Sequence, residues 1–409
     1  MKKILELGDY YISNFVESDH DYSNEEKYSL DLYLDEKVGA PRLKEAPPTD
    51  KMYGQYWYRS AINSSMVAQL SNIATEISSR ISYEKDDIWL DIACNDGTMF
   101  KFIPDEFIKI GIDPCNEEYL IESRKLANEV VGDYFSEIAY RSTDFGSSKN
   151  AKVITSIAMF YDLDDPHTFI ENIKNVMDHD GVWVLQLSYT PLMIEQLAFD
   201  NICHEHVYYY CLSSIQRLIN EHEMKIVDAT LNDTNGGSIR IYIRNTLANQ
   251  NKFGTKPLRD VCDYRVNALL QYEAQNYDVT NMDLWSSFQK RIELLKNQTV
   301  EFIKNEVANG KTIMGYGAST KGNTLLQHFG LDHTLIEAMV ERSPYKFGLQ
   351  TIGTNIPIIS EEEMRKRKPD YLLVLPWHFI SNFVKREQEY LQNGGKFIVP
   401  CPTFEVIGV

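Results

Sequence analysis

The sequence predicts an α/β protein with two Rossmann-like units in one chain, and three observations point there. Residues 88–114 run apolar strand, small-residue turn, short helix and second strand, the unit from which parallel sheets are assembled. Residues 311–322 repeat the pattern: Thr312-Ile313-Met314-Gly315-Tyr316-Gly317 is a strand entering a glycine turn that leads into a helix. A chain of 409 residues exceeds one ordinary core and has room for both units.

The first unit organises the rest. Ile88-Trp89-Leu90-Asp91-Ile92-Ala93 is followed by the turn Cys94-Asn95-Asp96-Gly97-Thr98, and the second strand ends in Gly111-Ile112-Asp113-Pro114. Gly97 has no Cβ to keep a ligand from the turn's N–H groups. Asp113 falls ~20 residues on, where a carboxylate can accept from a ribose hydroxyl. The turn has one glycine where the dinucleotide fingerprint has three. With Asp91 and Asp96 beside it, it suits a ligand with a positive centre better than a pyrophosphate. S-adenosylmethionine, with its sulfonium, amino-acid tail and ribose, meets that description. An ordinary βαβ unit without a ligand is the plainer alternative.

Hydrophobic residues make up 43% of the chain and charged residues 24%, values of a globular protein. A formal charge of −18 argues against a nucleic-acid or anionic-membrane partner, which needs a basic face. An anionic small molecule held by a few placed cations stays compatible. The start, Met1-Lys2-Lys3-Ile4-Leu5-Glu6-Leu7-Gly8-Asp9, places acids where a signal peptide needs an apolar run, and no apolar run reaches ~18 residues. Cys94, Cys115, Cys203, Cys211, Cys262 and Cys401 are scattered without a Cys-x-x-Cys pair. No disulfide framework and no metal site is expected, and a cytoplasmic location follows.

Four regions are expected: an N-terminal segment (1–60), a ligand-binding α/β domain (61–250), a helical connector (251–310) and a C-terminal Rossmann-like domain (311–409). The first is rich in Asp, Glu and Tyr, ends in an unusually aromatic stretch (53–58), and gives no readable pattern. Met66, Leu70, Ile73 and Ile77 predict a helix over 63–79. Residues 120–130 and 167–176 read as helices, 153–160 and 182–187 as buried strands, and 213–221 as a helix. Strands at 225–231 and 239–244, joined through Asn235-Gly236-Gly237, form an antiparallel pair. A mostly parallel sheet ending in such a hairpin is the layout of class I methyltransferases. In the connector, Phe288, Ile292, Leu295 and Phe302 share one helical face. In the last region, strands are expected over 336–341, 371–375 and 397–400, with a helix over 379–391; Lys321 favours a phosphate contact, and a duplicated unit that has lost its ligand is the alternative.

The chemistry concentrates in Phe199-Asp200-Asn201-Ile202-Cys203-His204-Glu205-His206-Val207-Tyr208. Zinc proteases need His-Glu-x-x-His on a helix, so His204 and His206, two apart, make a poor metal pair. They make a better proton-transfer site, since a neutral imidazole is available near pH 7 and Glu205 can orient it. Histidines buried and satisfied in a loop are the alternative.

Taken together these motifs resemble the S-adenosylmethionine-dependent C-methyltransferases of nucleotide-linked deoxysugars. The likeness runs from about Tyr53 to Pro402. It rests on Tyr56-x-Tyr58-x-Ser60, Asp91 to Gly97, Gly111 to Pro114, Phe199-Asp200 with His204-Glu205-His206, and Gly236-Gly237-Ser238-Ile239-Arg240. It continues through Gly315 to Thr324, Pro376-Trp377 and Gly394 to Pro400. The resemblance implies methylation of a carbon next to a 4-keto group. His206 would be the base, with Glu205 and His204 supporting it, and Tyr56 and Tyr58 positioning the sugar or donating to the enolate oxygen. It implies S-adenosylmethionine held by Asp91, Ala93, Asn95, Gly97, Asp113, Pro114, Asp133 and Met159. A nucleotide-diphosphate sugar would be held by Tyr58, Arg240, Ser319, Thr320, Lys321 and Asn323, between the middle and last domains.

Three departures stand out. The family begins with a cysteine-bound zinc module, whereas this sequence has no cysteine before Cys94, so no zinc is expected. Cys203 stands where the family often has a tyrosine, and Trp377-His378 where it has Trp-Asn. An O-methyltransferase acting on a sugar hydroxyl and a non-catalytic nucleotide-sugar binding protein are the competing readings; monomer and dimer both stay open.

Overall fold

The structure, a computed structural model, describes residues 1–48, 52, 59–62 and 64–408. Strands begin earlier than the sequence pattern suggests: β1 (Lys2–Leu5), β2 (Asp9–Tyr11), β3 (Phe15–Val16), β4 (Lys27–Ser29), β5 (Leu32–Asp35) and β6 (Ala40–Leu43). β1, β5 and β6 form an antiparallel sheet, β2 pairs with β4, and β3 adds to a strand of the C-terminal region. Leu30, Leu32 and Leu43 are fully buried, in one core cluster with the C-terminal sheet. These short strands are ordered by what they lie against, so their own composition carries little signal.

The central sheet contains β7 (Ile88–Ile92), β8 (Ile108–Ile112), β9 (Glu129–Val131), β10 (Ala151–Ile157), β11 (Met177–Ser188), β12 (Met224–Asn232) and β13 (Ser238–Asn245). Every residue of β7 is buried, as a strand covered on both faces requires. The order is β12-β13-β11-β10-β7-β8-β9, parallel except for β13, which runs antiparallel to both neighbours. The predicted hairpin is therefore present. The helix expected over 120–130 is divided: Glu117–Arg124 is helical, while Glu129-Val130-Val131 pairs with β8 as the edge strand. Pairing with an open sheet edge overrides a weak helical pattern there. The helix Ser64–Arg80 covers the sheet with Met66, Leu70, Ile73, Ala74 and Ile77.

The connector is a pair of helices, Lys256–Asn276 and Met282–Ala308. The second buries Trp285, Phe288, Ile292, Leu295, Thr299 and Ile303. Phe302 is only partly buried, its ring edge-on to Tyr371 at 5.4 Å. Glu273 fixes the first helix to the central sheet: its buried carboxylate accepts from the Tyr189 hydroxyl (2.6 Å) and the N–H groups of Leu212 (2.6 Å) and Ser213 (2.9 Å).

The C-terminal unit contains β14 (Ile313–Tyr316), β15 (Met339–Glu341), β16 (Gln350–Thr351), β17 (Ile358–Ser360), β18 (Tyr371–Val374), β19 (Lys396–Val399) and β20 (Glu405–Ile407). Its six-stranded sheet has the order β17-β15-β14-β18-β19-β20, parallel but for β20, and β16 pairs with β3. The helix expected over 379–391 is broken into Ile380–Arg386 and Gln388–Gln392, with Glu387 between them. Glu387 is held by Tyr316 and Arg365, so a side-chain network fixes the break. Both sheets are thus doubly wound α/β layers. Among the described residues, no helix is long and apolar enough to cross a membrane.

Candidate active site between the two sheets

At the carboxyl ends of β7, β8 and β10 the strand order reverses, which opens a crevice between neighbouring connections. Ala93, Asn95 and Gly97 in the turn after β7, and Ala158 after β10, all have positive φ, from 52° to 72°. A Cβ on Gly97 would meet the Cα of Ser123 at 2.7 Å, so glycine lets the turn sit against the following helix. Asp113 joins two connections: its carboxylate accepts from Asn95 N–H and Cys115 N–H, each at 2.7 Å. Asp91 is buried and accepts from Thr155 Oγ1 at 2.6 Å. Burial, reinforced by the Asp113 charge and opposed by Thr155, pushes its carboxyl up to about 7. Two neighbouring acids facing a crevice leave a place for a cationic group, and a carboxylate such as Asp113 keeps lone pairs for a ribose diol. The residues here fit S-adenosylmethionine.

Pro114, Asp133 and Met159 complete the expected set along the same strand ends, just past β8, β9 and β10. Asp133 is exposed, and its carboxylate accepts from the next N–H, of Tyr134. The turn also holds the chain that follows the aromatic stretch. Asn95 Oδ1 accepts from Ser60 N–H at 3.1 Å and Asp96 from Ala61 N–H at 3.0 Å, with Arg59 paired to Asp96 at 3.3 Å. Tyr56 and Tyr58 themselves lie outside the described residues.

Beyond β11, the short turn Phe199–Asn201 is packed against the C-terminal unit, Phe199 stacking on Phe329 at 5.6 Å. Trp377 Nε1 donates to Asp200 Oδ2 at 3.1 Å, and a Cβ on Gly236 would lie 3.3 Å from the same indole. Lys321, in the first turn of the helix Thr320–Phe329, donates from Nζ to Asn201 Oδ1. The loop carrying His204, Glu205 and His206 is therefore closed on one side by the central sheet and on the other by the C-terminal unit.

The three residues of that motif separate in role. His206 Nδ1 donates to the main-chain carbonyl of Asn201 at 2.8 Å, and its ring lies 4.1 Å from Tyr161, just past β10. Because a carbonyl only accepts, Nδ1 carries the proton and Nε2 the lone pair. Burial, then the Lys321 charge, holds the imidazole well below its usual range and keeps it neutral. His204 is fully buried and turned the other way, its Nε2 bonding the Tyr28 carbonyl at 3.0 Å; burial lowers it to about 4. It fastens β4 rather than facing the cleft. Glu205 has one buried carboxylate oxygen without a partner among the described residues, and burial pushes its carboxyl up. Asp200 is likewise raised by burial, with Lys321 opposing the shift.

The expected substrate set divides as well. Ser319 caps its helix by accepting from Gly322 N–H at 3.0 Å, and Thr320 is half-buried beside it. Asn323 is only 1% exposed and its amide donates to the Asn14 carbonyl at 3.0 Å, so it meets the N-terminal segment instead of the cleft. Arg240, 3% exposed, is locked into bonds with Gln186, Asn72 and Glu76 against the helix Ser64–Arg80. A buried arginine that already has its acid gains nothing by leaving it, which argues against Arg240 as a substrate ligand, whereas the Oδ1 of Asn323 has no partner among the described residues. Asn201 was missed; only its place beside Asp200 in the Phe199-Asp200 motif could have flagged it.

Two known domain families match the chain. A methyltransferase domain covers residues 66–229, and a C-methyltransferase C-terminal domain covers residues 233–402. Among characterised proteins, the C-methyltransferase NovU of Streptomyces niveus is 26% identical over 399 residues, spanning 96% of this chain and 91% of that protein. Solved structures with partial likeness include the plantazolicin methyltransferase BpumL in complex with SAH (12% identity, TM-score 0.34, 43% of this chain and 82% of that one). Another is an S-adenosylmethionine-dependent methyltransferase from Clostridium acetobutylicum (13% identity, TM-score 0.33, 44% of this chain and 92% of that one).

Proposed function

We propose that the chain is an S-adenosylmethionine-dependent C-methyltransferase that methylates the carbon next to the 4-keto group of a nucleotide-linked sugar, with His206 as the base. The observation that carries this reading is the fixed tautomer of His206, neutral, with its Nδ1–H on the Asn201 carbonyl and no partner for its Nε2 lone pair among the described residues. Carbon methylation needs a nucleophilic carbon, and a C–H next to a ketone is acidified because the electron pair left behind moves onto oxygen. His206 Nε2 takes that proton. Bound in the crevice beside β7 and β10, S-adenosylmethionine supplies an electrophilic methyl group on a sulfonium. Asp91 and Asp113 are the residues that would hold and orient it.

The sugar lies between the loop 199–206 and the C-terminal unit. Closure by both sheets excludes water, which protects a carbanion-like intermediate from reprotonation. The acceptor is an anion on an acidic protein, so cations local to the site have to receive it.

Proton exchange in heavy water tests the reading. With S-adenosylhomocysteine in place of the donor, the wild-type enzyme is expected to exchange the α-proton of a nucleotide-linked 4-ketosugar, and His206→Ala to lose that exchange. Methylation at a hydroxyl, located by NMR of the product, would replace this reading with an O-methyltransferase.

A further inference from the structure

We propose that Lys321 holds the enolate oxygen formed when His206 removes the proton, rather than a phosphate of the nucleotide. The inference rests on the ketosugar reading above and assigns within it a group the reaction requires. The anchor of Lys321 comes first. Its Nζ donates to the side-chain oxygen of Asn201, while the main-chain oxygen of the same Asn201 accepts from His206 Nδ1 at 2.8 Å. One residue therefore places the cation and the base together. On a pyranose ring, C4 and the phosphate-bearing C1 lie at opposite ends. A cation set beside the base that works next to C4 is thus beside the ketone and away from the phosphates.

Charge points the same way. Lys321 is half-buried, and among the described residues its ammonium donates to a neutral amide, that of Asn201. The acids nearby, Asp200 and Glu205, are pushed toward their protonated forms by burial. Burial disfavours the charged forms of both acids, which leaves the ammonium able to respond to negative charge created in front of it, the arrangement that stabilises a transition state more than a ground state. It also answers a difficulty with the base. An imidazole whose protonated form is strongly disfavoured is a weak base for a carbon acid, unless the negative charge made in the same step meets a fixed cation.

The balance is simple. The C–H bond breaks, its proton goes to His206 Nε2, and the electron pair moves to the carbonyl oxygen, which accepts a hydrogen bond from Lys321 Nζ without taking its proton. On methylation that pair returns to form the C–C bond, and the donor leaves as a thioether.

The test uses the full chain with uridine-, thymidine-, guanosine- and cytidine-diphospho-4-keto-6-deoxyhexoses, S-adenosylhomocysteine and heavy water. Lys321→Met is expected to slow α-proton exchange and kcat by about 10²–10³-fold. Affinity for the matching nucleoside diphosphate, by calorimetry, should stay within about threefold of wild type. Lys321→Arg, which keeps the charge on a larger head, should recover part of the exchange. If Lys321→Met is poorly folded by circular dichroism, Lys321→Gln carries the same test. A raised KM and weakened nucleoside diphosphate binding, with exchange at saturation unchanged, would make Lys321 a phosphate ligand and overturn the proposal. Absence of exchange by wild type with every sugar of the panel would instead remove the ketosugar reading, and the proposal with it.

Discussion

The main-chain carbonyl of Asn201 holds His206 by its Nδ1–H at 2.8 Å, so the ring's tautomer is fixed by backbone and not by a neighbouring acid. A backbone acceptor cannot be removed by substitution and adds no negative charge, so the imidazole is oriented without its basicity being raised. This differs from a carboxylate-oriented histidine, where the partner also stabilises the protonated ring.

His206→Gln keeps an amide able to reach Asn201 but has no basic nitrogen. Exchange of the α-proton and methyl transfer should both fall by about 10²–10⁴-fold. Calorimetry with S-adenosylhomocysteine should show donor-site affinity within about threefold of wild type. Exchange at the wild-type rate would show that another group is the base.

Asp91 predicts a pH effect on the donor. In the folded chain its carboxyl is raised from 3.8 to about 7 by burial, so at pH 6 it is largely protonated. Affinity for S-adenosylmethionine should rise as pH increases from 6 to 8, since the carboxylate attracts the cationic donor. The opposite sign holds for ligand-free stability. A raised folded pKa contributes stability that is complete below the unfolded value and is lost as pH rises through about 7. Asp91→Asn should therefore melt higher than wild type at pH 8 without ligand, and show no pH dependence of donor affinity across that window.

His204→Ala removes the bond to the Tyr28 carbonyl and leaves a cavity in a fully buried place. A loss of about 2–4 kcal/mol in urea unfolding is expected. Hydrogen exchange should quicken at Lys27–Ser29 before it does in the central sheet. Unchanged protection of that strand would show that His204 does not fasten it.

Glu273→Ala leaves the N–H groups of Leu212 and Ser213 without their acceptor and the Tyr189 hydroxyl without its partner. Unfolding should be easier by about 2–4 kcal/mol. Glu273→Gln, which can still accept, should recover part of it.

Much of the architecture was legible because buried strands announce themselves. The run Ile88 to Ile92 and the hairpin across Asn235-Gly236-Gly237 lie where the sequence places them. Local pattern fails where a partner decides. Glu129–Val131 reads as the end of a helix but completes the sheet beside β8, and β1 to β6 are held by contacts with distant residues. The site was legible by residue type, not by direction. His204 and His206 are two apart and of one type, yet one meets the Tyr28 carbonyl and the other the Asn201 carbonyl. Arg240 is a polar type that a phosphate site uses, but it is satisfied internally by Glu76. Asn201 carries no chemical signal of its own; its importance comes from having two oxygens pointing at two different residues.

The pairing of β3 with β16, and of Tyr11 with Gln327 across 316 residues, has a consequence for how the chain is made. β3 precedes its partner strand by more than 300 residues, so it waits unpaired while the central sheet forms without it. Such a wait exposes strand edges, and a slow final docking step is expected whose loss would release the first forty residues while the sheet behind them stays intact.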